Sequence, residues 1–240
     1  MENELPRKLK GAILTFGQLL VIPTIILLFF YPPSIFWIVA TIFFSYAFGV
    51  LGWVIGQHRY FTHRQFKTSP RVEKVLMFFA VMGTWQSPVE WVNSHWAHHK
   101  HSDTELDVHS YKHLGWRNLF FYFHQTDELA PSFAGLRMLK SNAHRFLMNF
   151  KYAIILSYVG LVYTIFGMPG LLYLWLVPTS YAMLSQISIV MNHVDGEPRD
   201  CWVTDLFTLG EGNHKYHHDN PKDYSRDFYL TPIINVLERL

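Results

Sequence analysis

Histidine residues at metal-ligand spacing carry the clearest chemistry in this chain. They form three motifs, one H-x-x-x-x-H and two H-x-x-H-H, which contain His58, His63, His95, His98, His99, His214, His217 and His218. In H-x-x-H-H the histidines stand at positions i, i+3 and i+4, so on a helix the three rings share one face. Neutral imidazole is the commonest protein ligand of metal ions, and one tetrahedral ion takes about four donors. Eight such histidines predict a site for two metal ions.

The spacing differs between the motifs. His58 and His63 are five residues apart, which suits the end of a helix, where the backbone can turn the second ring towards the first. Histidines outside the motifs are interpreted as ordinary surface or hydrogen-bonded residues. These are His101, His109, His113, His124 and His144.

The composition indicates a membrane protein. Of 240 residues, 50% are hydrophobic and 16% are charged, which is too apolar for an ordinary soluble domain. No Asp, Glu, Lys or Arg occurs at 11–58 or at 152–194. A membrane span needs about 20 apolar residues, so each stretch can cross a bilayer twice. Each has a proline-containing turn near its middle, at Tyr31–Ser34 and at Gly167–Gly170.

We therefore predict an all-α membrane protein with two transmembrane helical hairpins. The four spans are expected at about residues 12–31, 34–56, 151–167 and 169–192. Residues 57–150 and 193–240 are expected to form a helical cap that carries the histidine site. All 20 Lys and Arg residues lie outside the hairpins, so the cap and both termini are predicted to be cytoplasmic. The net charge of +2 argues against a nucleic-acid partner.

The histidine motifs and their surroundings resemble the integral membrane fatty acid desaturases, most strongly the acyl-CoA delta-9 (stearoyl-CoA) desaturases. The similar segments are GQHRYFTHRQFKT (56–68), EWVNSHWAHHKHSDTELDVHS (90–110) and GEGNHKYHHDNPKDYS (210–225). The resemblance covers nearly the whole chain, so residues 1–240 are expected to form one desaturase domain, in a bacterial inner membrane. It implies an oxidoreductase that introduces a cis double bond, at delta-9, into a saturated acyl chain with dioxygen and two electrons.

The resemblance also implies a cofactor of two iron ions and a ninth ligand. The eight motif histidines would be ligands, and His193 fits a family histidine at the end of the fourth span. Four residues earlier, Ile189 stands where the family has an asparagine that reaches a metal through water. Asn192 and Gln186 are the polar residues nearby that could replace it. Imidazole is a suitable ligand for iron.

Acidic residues near the motifs are candidates for supporting the ligands. Glu211, Asp103, Asp107 and Asp219 could accept the outer ring N–H and fix each tautomer, or could be solvated loop charges. The resemblance places Gln86 and Trp91 at the bend of an acyl tunnel, and Tyr46 and Val50 at its floor. The alternative for these four is ordinary helix packing.

The resemblance leaves the acyl carrier open. Asn93 and Ser94 stand where animal acyl-CoA enzymes have an Arg and an Asp that contact CoA. The expected partners are an acyl substrate linked to CoA, acyl carrier protein or a lipid, with dioxygen and the bilayer. Electrons are expected from a ferredoxin or a cytochrome b5-type protein. Two alternative functions are a histidine-box hydroxylase, ketolase or alkane monooxygenase, and a membrane metal-binding protein without redox chemistry.

Overall fold

The structure, a computed structural model, is helical throughout the part of the chain that it describes. It describes residues 6–124, 129 and 131–240, with the backbone alone at Arg7 and Ile189. The α-helices are α1 (Arg7–Leu19), α2 (Val21–Phe30), α3 (Ile35–Ser45), α4 (Pro70–Gly83), α5 (Pro88–His101), α6 (Tyr111–Leu114), α7 (Phe133–Met138), α8 (Asn142–Asn149), α9 (Lys151–Leu171), α10 (Val177–Ser185), α11 (Ile187–Met191), α12 (Trp202–Thr208), α13 (His214–Asp219) and α14 (Thr231–Arg239). Tyr46–Thr62 and Leu172–Leu176 are wider π-helical segments, and Gly115–Leu119 and Phe121–Phe123 are 3-10 turns. The prediction of an all-α fold is confirmed for the described residues.

Three helical stretches are long and apolar enough to cross a membrane. They are Lys8–Phe30, Ile35–Thr62 and Lys151–Ser185. Large apolar side chains on the first two remain exposed, including Phe29 at 83% and Ile35 at 76%. Such side chains need an apolar surrounding, which hydrocarbon provides.

The third stretch folds back on itself at Gly167. This glycine has φ 63° and ψ −153°, a conformation that an α-helix does not contain. The Tyr158 hydroxyl donates to the carbonyl of Leu174, 16 residues later, at 3.0 Å. In a straight helix these residues would be about 24 Å apart. The two halves of the stretch are therefore neighbours, joined by a turn where the sequence predicts one.

The two turns of the apolar stretches lie at the same end of the molecule. The ring of Trp37, just after the first turn, is 5.9 Å from Phe166, which precedes the second turn. The same ring stacks on Tyr173 at 5.7 Å. Thr41 donates to the backbone carbonyl of Tyr173 at 2.9 Å. The histidine motifs, which follow the distal ends of these helices, are thus brought together at the opposite end.

The second apolar helix continues further than the sequence predicted. The expected end was residue 56, but the π-helical segment runs to Thr62 and includes His58. Helix α4 packs along this segment and buries Met77 and Ala80 against it. Gln57 donates to the Thr84 hydroxyl at 3.1 Å, just beyond the end of α4. Tertiary packing therefore extends the helix through a sequence whose polar residues indicated a helix end.

Candidate metal centre

The structure gathers nine histidines into two adjacent clusters. The five-histidine cluster consists of His58, His63, His95, His99 and His217, and the four-histidine cluster consists of His98, His193, His214 and His218. Within each cluster one nitrogen of every ring lies within 4.8 Å of those of the others. The clusters share a wall, where the rings of His99 and His218 stack at 4.2 Å. All eight motif histidines and His193 thus meet at one place.

Each H-x-x-H-H motif supplies both clusters. On α5, His95 and His99 belong to the five-histidine cluster, whereas His98 points into the four-histidine cluster. On α13 the division is reversed, since His217 belongs to the first cluster and its two motif partners belong to the second. Adjacent positions on a helix diverge by about 100°, so i+3 and i+4 can address two ions from one face. The motif is therefore suited to a two-metal site.

The π-helical geometry explains how His58 and His63 reach the same cluster. In an α-helix, residues five apart point about 140° away from each other. Here the His63 amide donates to the His58 carbonyl at 3.3 Å, five residues back, as in a π-turn. The wider turn brings the two rings to a centroid distance of 5.0 Å. The π-turn thus places both rings in one cluster, which the five-residue spacing would prevent in an α-helix.

Buried carboxylates fix the tautomer of three of the rings. The Nδ1 atom of His58 lies 2.7 Å from Glu211 Oε1, and that of His98 lies 3.0 Å from Asp107 Oδ2. A third pair joins His193 Nδ1 to Asp103 Oδ2 at 2.8 Å. A carboxylate only accepts, so in each pair Nδ1–H is the donor, and in the neutral ring Nε2 keeps its lone pair. Burial raises the pKa of Glu211 to about 7, while the charge of Arg59 acts in the opposite direction.

The bare Nε2 atoms face each other at distances that require a cation between them. His98 Nε2 and His193 Nε2 are 3.2 Å apart, although both rings donate through Nδ1. Two lone pairs at this distance repel unless a positive ion lies between them. Burial also lowers the pKa of seven of the nine rings, which favours their neutral, metal-binding form. The pKa is lowered to about 3 for His98 and His218, and well below the usual value for His63, His95, His99, His214 and His217.

The donor set of the two clusters fits iron. Five imidazoles in one cluster exceed the four ligands of an ordinary zinc site, and imidazole is a suitable ligand for iron. The Nε2 atoms of His58 and His217 are 2.8 Å apart, and those of His95 and His99 are 3.0 Å apart. Tetrahedral zinc with ligands at 2.0–2.1 Å would separate its donors by about 3.3 Å. The shorter distances suit a higher coordination number.

A cleft leads to the five-histidine cluster. Helix α1 provides one wall with Lys10 and Leu14, and α5 provides another with Glu90, Trp91 and His95. Lys10 Nζ and Glu90 Oε1 form an ion pair at 2.7 Å between these two walls, and both side chains are partly exposed to solvent. At the inner end, the indole of Trp91 stacks on the ring of His95 at 4.7 Å. The cleft therefore connects the exterior to His95 between α1 and α5.

Of the four residues expected to shape a tunnel, two line this cleft. These are Gln86 and Trp91. Val50 is fully buried and packs in the hydrophobic core, with Tyr46 beside that core. Their role as a tunnel floor stays a prediction.

Three of the four carboxylates that were expected to support the histidines contact them as described. The fourth, Asp219, is exposed at the end of α13. Asn93 is engaged elsewhere, because its side-chain oxygen accepts from the Ser132 amide at 2.9 Å and from the Ser132 hydroxyl at 2.7 Å. It thereby holds the start of α7 against α5.

Ile189 occupies the position where the resemblance expects an asparagine. The side chain of Ile189 lies outside the described residues. Asn192 donates to the Glu211 carbonyl at 2.9 Å and accepts from Thr204 at 3.0 Å, so its amide supports the third motif. Gln186 lines the cleft, and its buried Oε1 has no hydrogen-bond partner among the described residues.

Two cleft histidines were not anticipated. His109 and His124 line the cleft, and their rings are 5.3 Å apart. His124 donates through Nε2 to the Asn118 carbonyl at 2.9 Å. Neither belongs to an H-x-x-H pattern, the spacing by which the metal-ligand candidates were recognised. His109 does follow Asp107, which could have suggested proximity to the metal site.

Comparison with known proteins agrees with this geometry. The sequence model of the fatty acid desaturase family matches residues 35–234. The chain is 25% identical to the delta-9 acyl-lipid desaturase 2 of Arabidopsis thaliana over 79% of its own length and 65% of the relative's. It is 27% identical to the sn-1 stearoyl-lipid 9-desaturase of Anabaena variabilis over 71% of this chain and 66% of the relative. For the stearoyl-CoA desaturase of Bos taurus the values are 28%, 78% and 58%.

The chain thus spans about three fifths of the length of the curated relatives that it matches. The match nevertheless includes all three histidine motifs and His193, which form the two clusters. The chain belongs to the fatty acid desaturase family.

Proposed function

We propose that this protein is a two-iron acyl desaturase that introduces a cis double bond at delta-9 of a saturated acyl chain. The observation that carries the proposal is the pair of adjacent histidine clusters at the inner end of a cleft beside a membrane helix. Two of the three relatives described above have names that specify the 9-position. The reaction consumes dioxygen and two electrons and releases water.

Bound iron would supply the oxidising power to remove two hydrogens from unactivated methylenes. The chain's own residues hold the ligands and shelter the site. Glu211, Asp107 and Asp103 orient three imidazoles through their Nδ1–H groups. The stacked pair of Trp91 and His95 closes the inner end of the cleft, and three members of the five-histidine cluster, His58, His95 and His217, are buried. Exclusion of water protects a strong oxidant from side reactions.

The acyl chain would enter along the wall formed by α1. We propose that Gln86 and Trp91 shape its bend and that Tyr46 and Val50 limit its length. The apolar helices would then form four membrane crossings, because the third stretch reverses at Gly167 and can cross twice. The cap and both termini would lie in the cytoplasm, where a ferredoxin or cytochrome b5-type donor can dock.

The acyl carrier is proposed as CoA, acyl carrier protein or a glycerolipid. The relatives' names include both acyl-lipid and acyl-CoA enzymes. Asn93 Oδ1 accepts both hydrogen bonds from Ser132, so this oxygen is engaged within the protein and not with a headgroup.

Lipid analysis in a host that lacks unsaturated fatty acids would test the proposal. We expect new cis monoenes with the double bond at carbon 9, detected by gas chromatography with double-bond localisation. Hydroxylated acids or ketones would instead assign the chain to the hydroxylases or ketolases. Membrane-inserted protein that yields no oxidised lipid, with a donor system supplied, would contradict both and favour a metal-binding role without redox chemistry.

A further inference from the structure

The first histidine motif contains a buried arginine that is not one of the candidate metal ligands. Arg59 follows His58 and is 1% exposed. Its Nη1 atom lies 2.6 Å from Asp227 Oδ2, and its Nε atom lies 3.4 Å from Glu211 Oε1. Nη2 donates to the carbonyl of Gly210 at 2.6 Å. One guanidinium thus joins the second apolar helix to the third motif and to the segment before α14.

The contact with Glu211 is the one that reaches the metal centre. The same Oε1 atom that faces Arg59 accepts from His58 Nδ1 at 2.7 Å. A carboxylate buried to 1% exposure must be held by donors, since water cannot solvate it. Arg59 is the cation next to this carboxylate. Its planar guanidinium presents five donors in a fixed fork towards Glu211 and Asp227, whereas an ammonium is a compact point charge without that geometry.

The four-histidine cluster is supported differently. There, Asp107 Oδ2 accepts from the backbone amide of Asp103 at 2.9 Å, and Asp107 Oδ1 accepts from the amide of His109 at 3.2 Å. Backbone amides therefore orient the carboxylate that holds His98. Loss of Arg59 would leave these bonds intact.

We propose that Arg59 is a positioning residue that selectively secures the five-histidine cluster by holding Glu211 against His58. The inference rests on the proposed two-metal centre. It goes beyond that function because it assigns separate supports to the two ions.

The test is the iron content of purified protein after anaerobic loading with Fe²⁺ and desalting. The parent is expected to hold about two ions per chain, and Arg59→Gln about one. Adding His98→Ala to Arg59→Gln should remove the remaining ion, whereas adding His95→Ala should leave it. Arg59→Lys should fall between parent and Arg59→Gln, because lysine keeps the charge but not the two-carboxylate geometry.

The matched control is Arg137→Gln. Arg137 donates to the Phe61 carbonyl at 3.1 Å near the same motif without touching Glu211. This variant should keep both ions. Circular dichroism and size-exclusion chromatography establish whether each variant is folded. The variant Arg59→Gln/Asp227→Asn, which removes the arginine with one of its carboxylates, guards against misfolding from unpaired charge and should also hold about one ion.

Two ions in folded Arg59→Gln would overturn the inference, as would loss of both ions or failure of both variants to fold. A parent chain that binds two ions but makes no monoene would contradict the proposed function and leave the role of Arg59 intact. A parent that binds fewer than two would overturn both.

Discussion

The two histidine clusters lie side by side, but different elements of the fold supply and support their histidines. In the five-histidine cluster, His58 comes from the membrane helix itself, and its supporting Glu211 is buried with Arg59. In the four-histidine cluster, His193 comes from the turn after α11, and its supporting Asp103 lies in the loop after α5. The first centre therefore depends on interior ion pairs, and the second depends on loops and backbone amides.

The cleft meets the five-histidine cluster at His95. Both clusters keep partly exposed members, which are His63 and His99 in the five-histidine cluster and His218 in the four-histidine cluster. Mutations that separate the two centres would show whether they act as a unit.

The largest expected effect comes from removing one ligand at a time from the same helix. His95→Ala removes a ligand of the five-histidine cluster, and His98→Ala removes one of the four-histidine cluster. Each variant should lose monoene formation entirely and retain about one iron per chain, because each centre binds its own ion. Product analysis and iron determination on the same preparations check this. Normal product from either variant would refute the need for two ions.

A smaller effect is expected from the carboxylates that orient the rings. Glu211→Gln and Asp107→Asn should each lower iron affinity about 10- to 100-fold, since each keeps an acceptor but loses its charge. We expect the larger loss in Glu211→Gln, because the carboxamide can also present an N–H to Arg59. Anaerobic Fe²⁺ titration measures both. A larger loss in Asp107→Asn would reverse the assignment of the charge-supported centre.

The smallest effect is expected at Asp219. This carboxylate is exposed at the end of α13, so Asp219→Asn should change iron affinity and product yield by less than about 2-fold. The same titration and lipid analysis apply. A loss comparable to that in Asp107→Asn would show that Asp219 supports a ligand after all.

The sequence predicted the helical class and the reversal near Gly167, both of which the structure shows. The structure also gathers the nine predicted ligands into two clusters, while their role as metal ligands stays a prediction. Metal ligands are readable because i, i+3 and i+4 spacing and long uncharged stretches are local properties of the chain. The assignment of each histidine to a cluster was not readable. His98 and His99 are neighbours in sequence but enter different clusters, and only the packing of α5 against α13 and the π-helical segment decides this.

The supporting network was predicted only in part. Glu211, Asp107 and Asp103 were candidates because they lie near the motifs, and Asp219 was one for the same reason. Sequence distance cannot separate a buried carboxylate from an exposed one. The π-helical segment was also hidden, because its wide turns arise from packing against α4 rather than from residue propensity. The ion pair between Arg59 and Asp227 was not predicted, because the two residues are 168 positions apart and no sequence pattern links them.

The iron content of the purified parent chain tests the central claim most directly. Protein loaded anaerobically with Fe²⁺ and desalted should contain about two iron ions per chain, because two separate imidazole clusters offer bare nitrogens. One ion per chain would contradict the two-iron assignment.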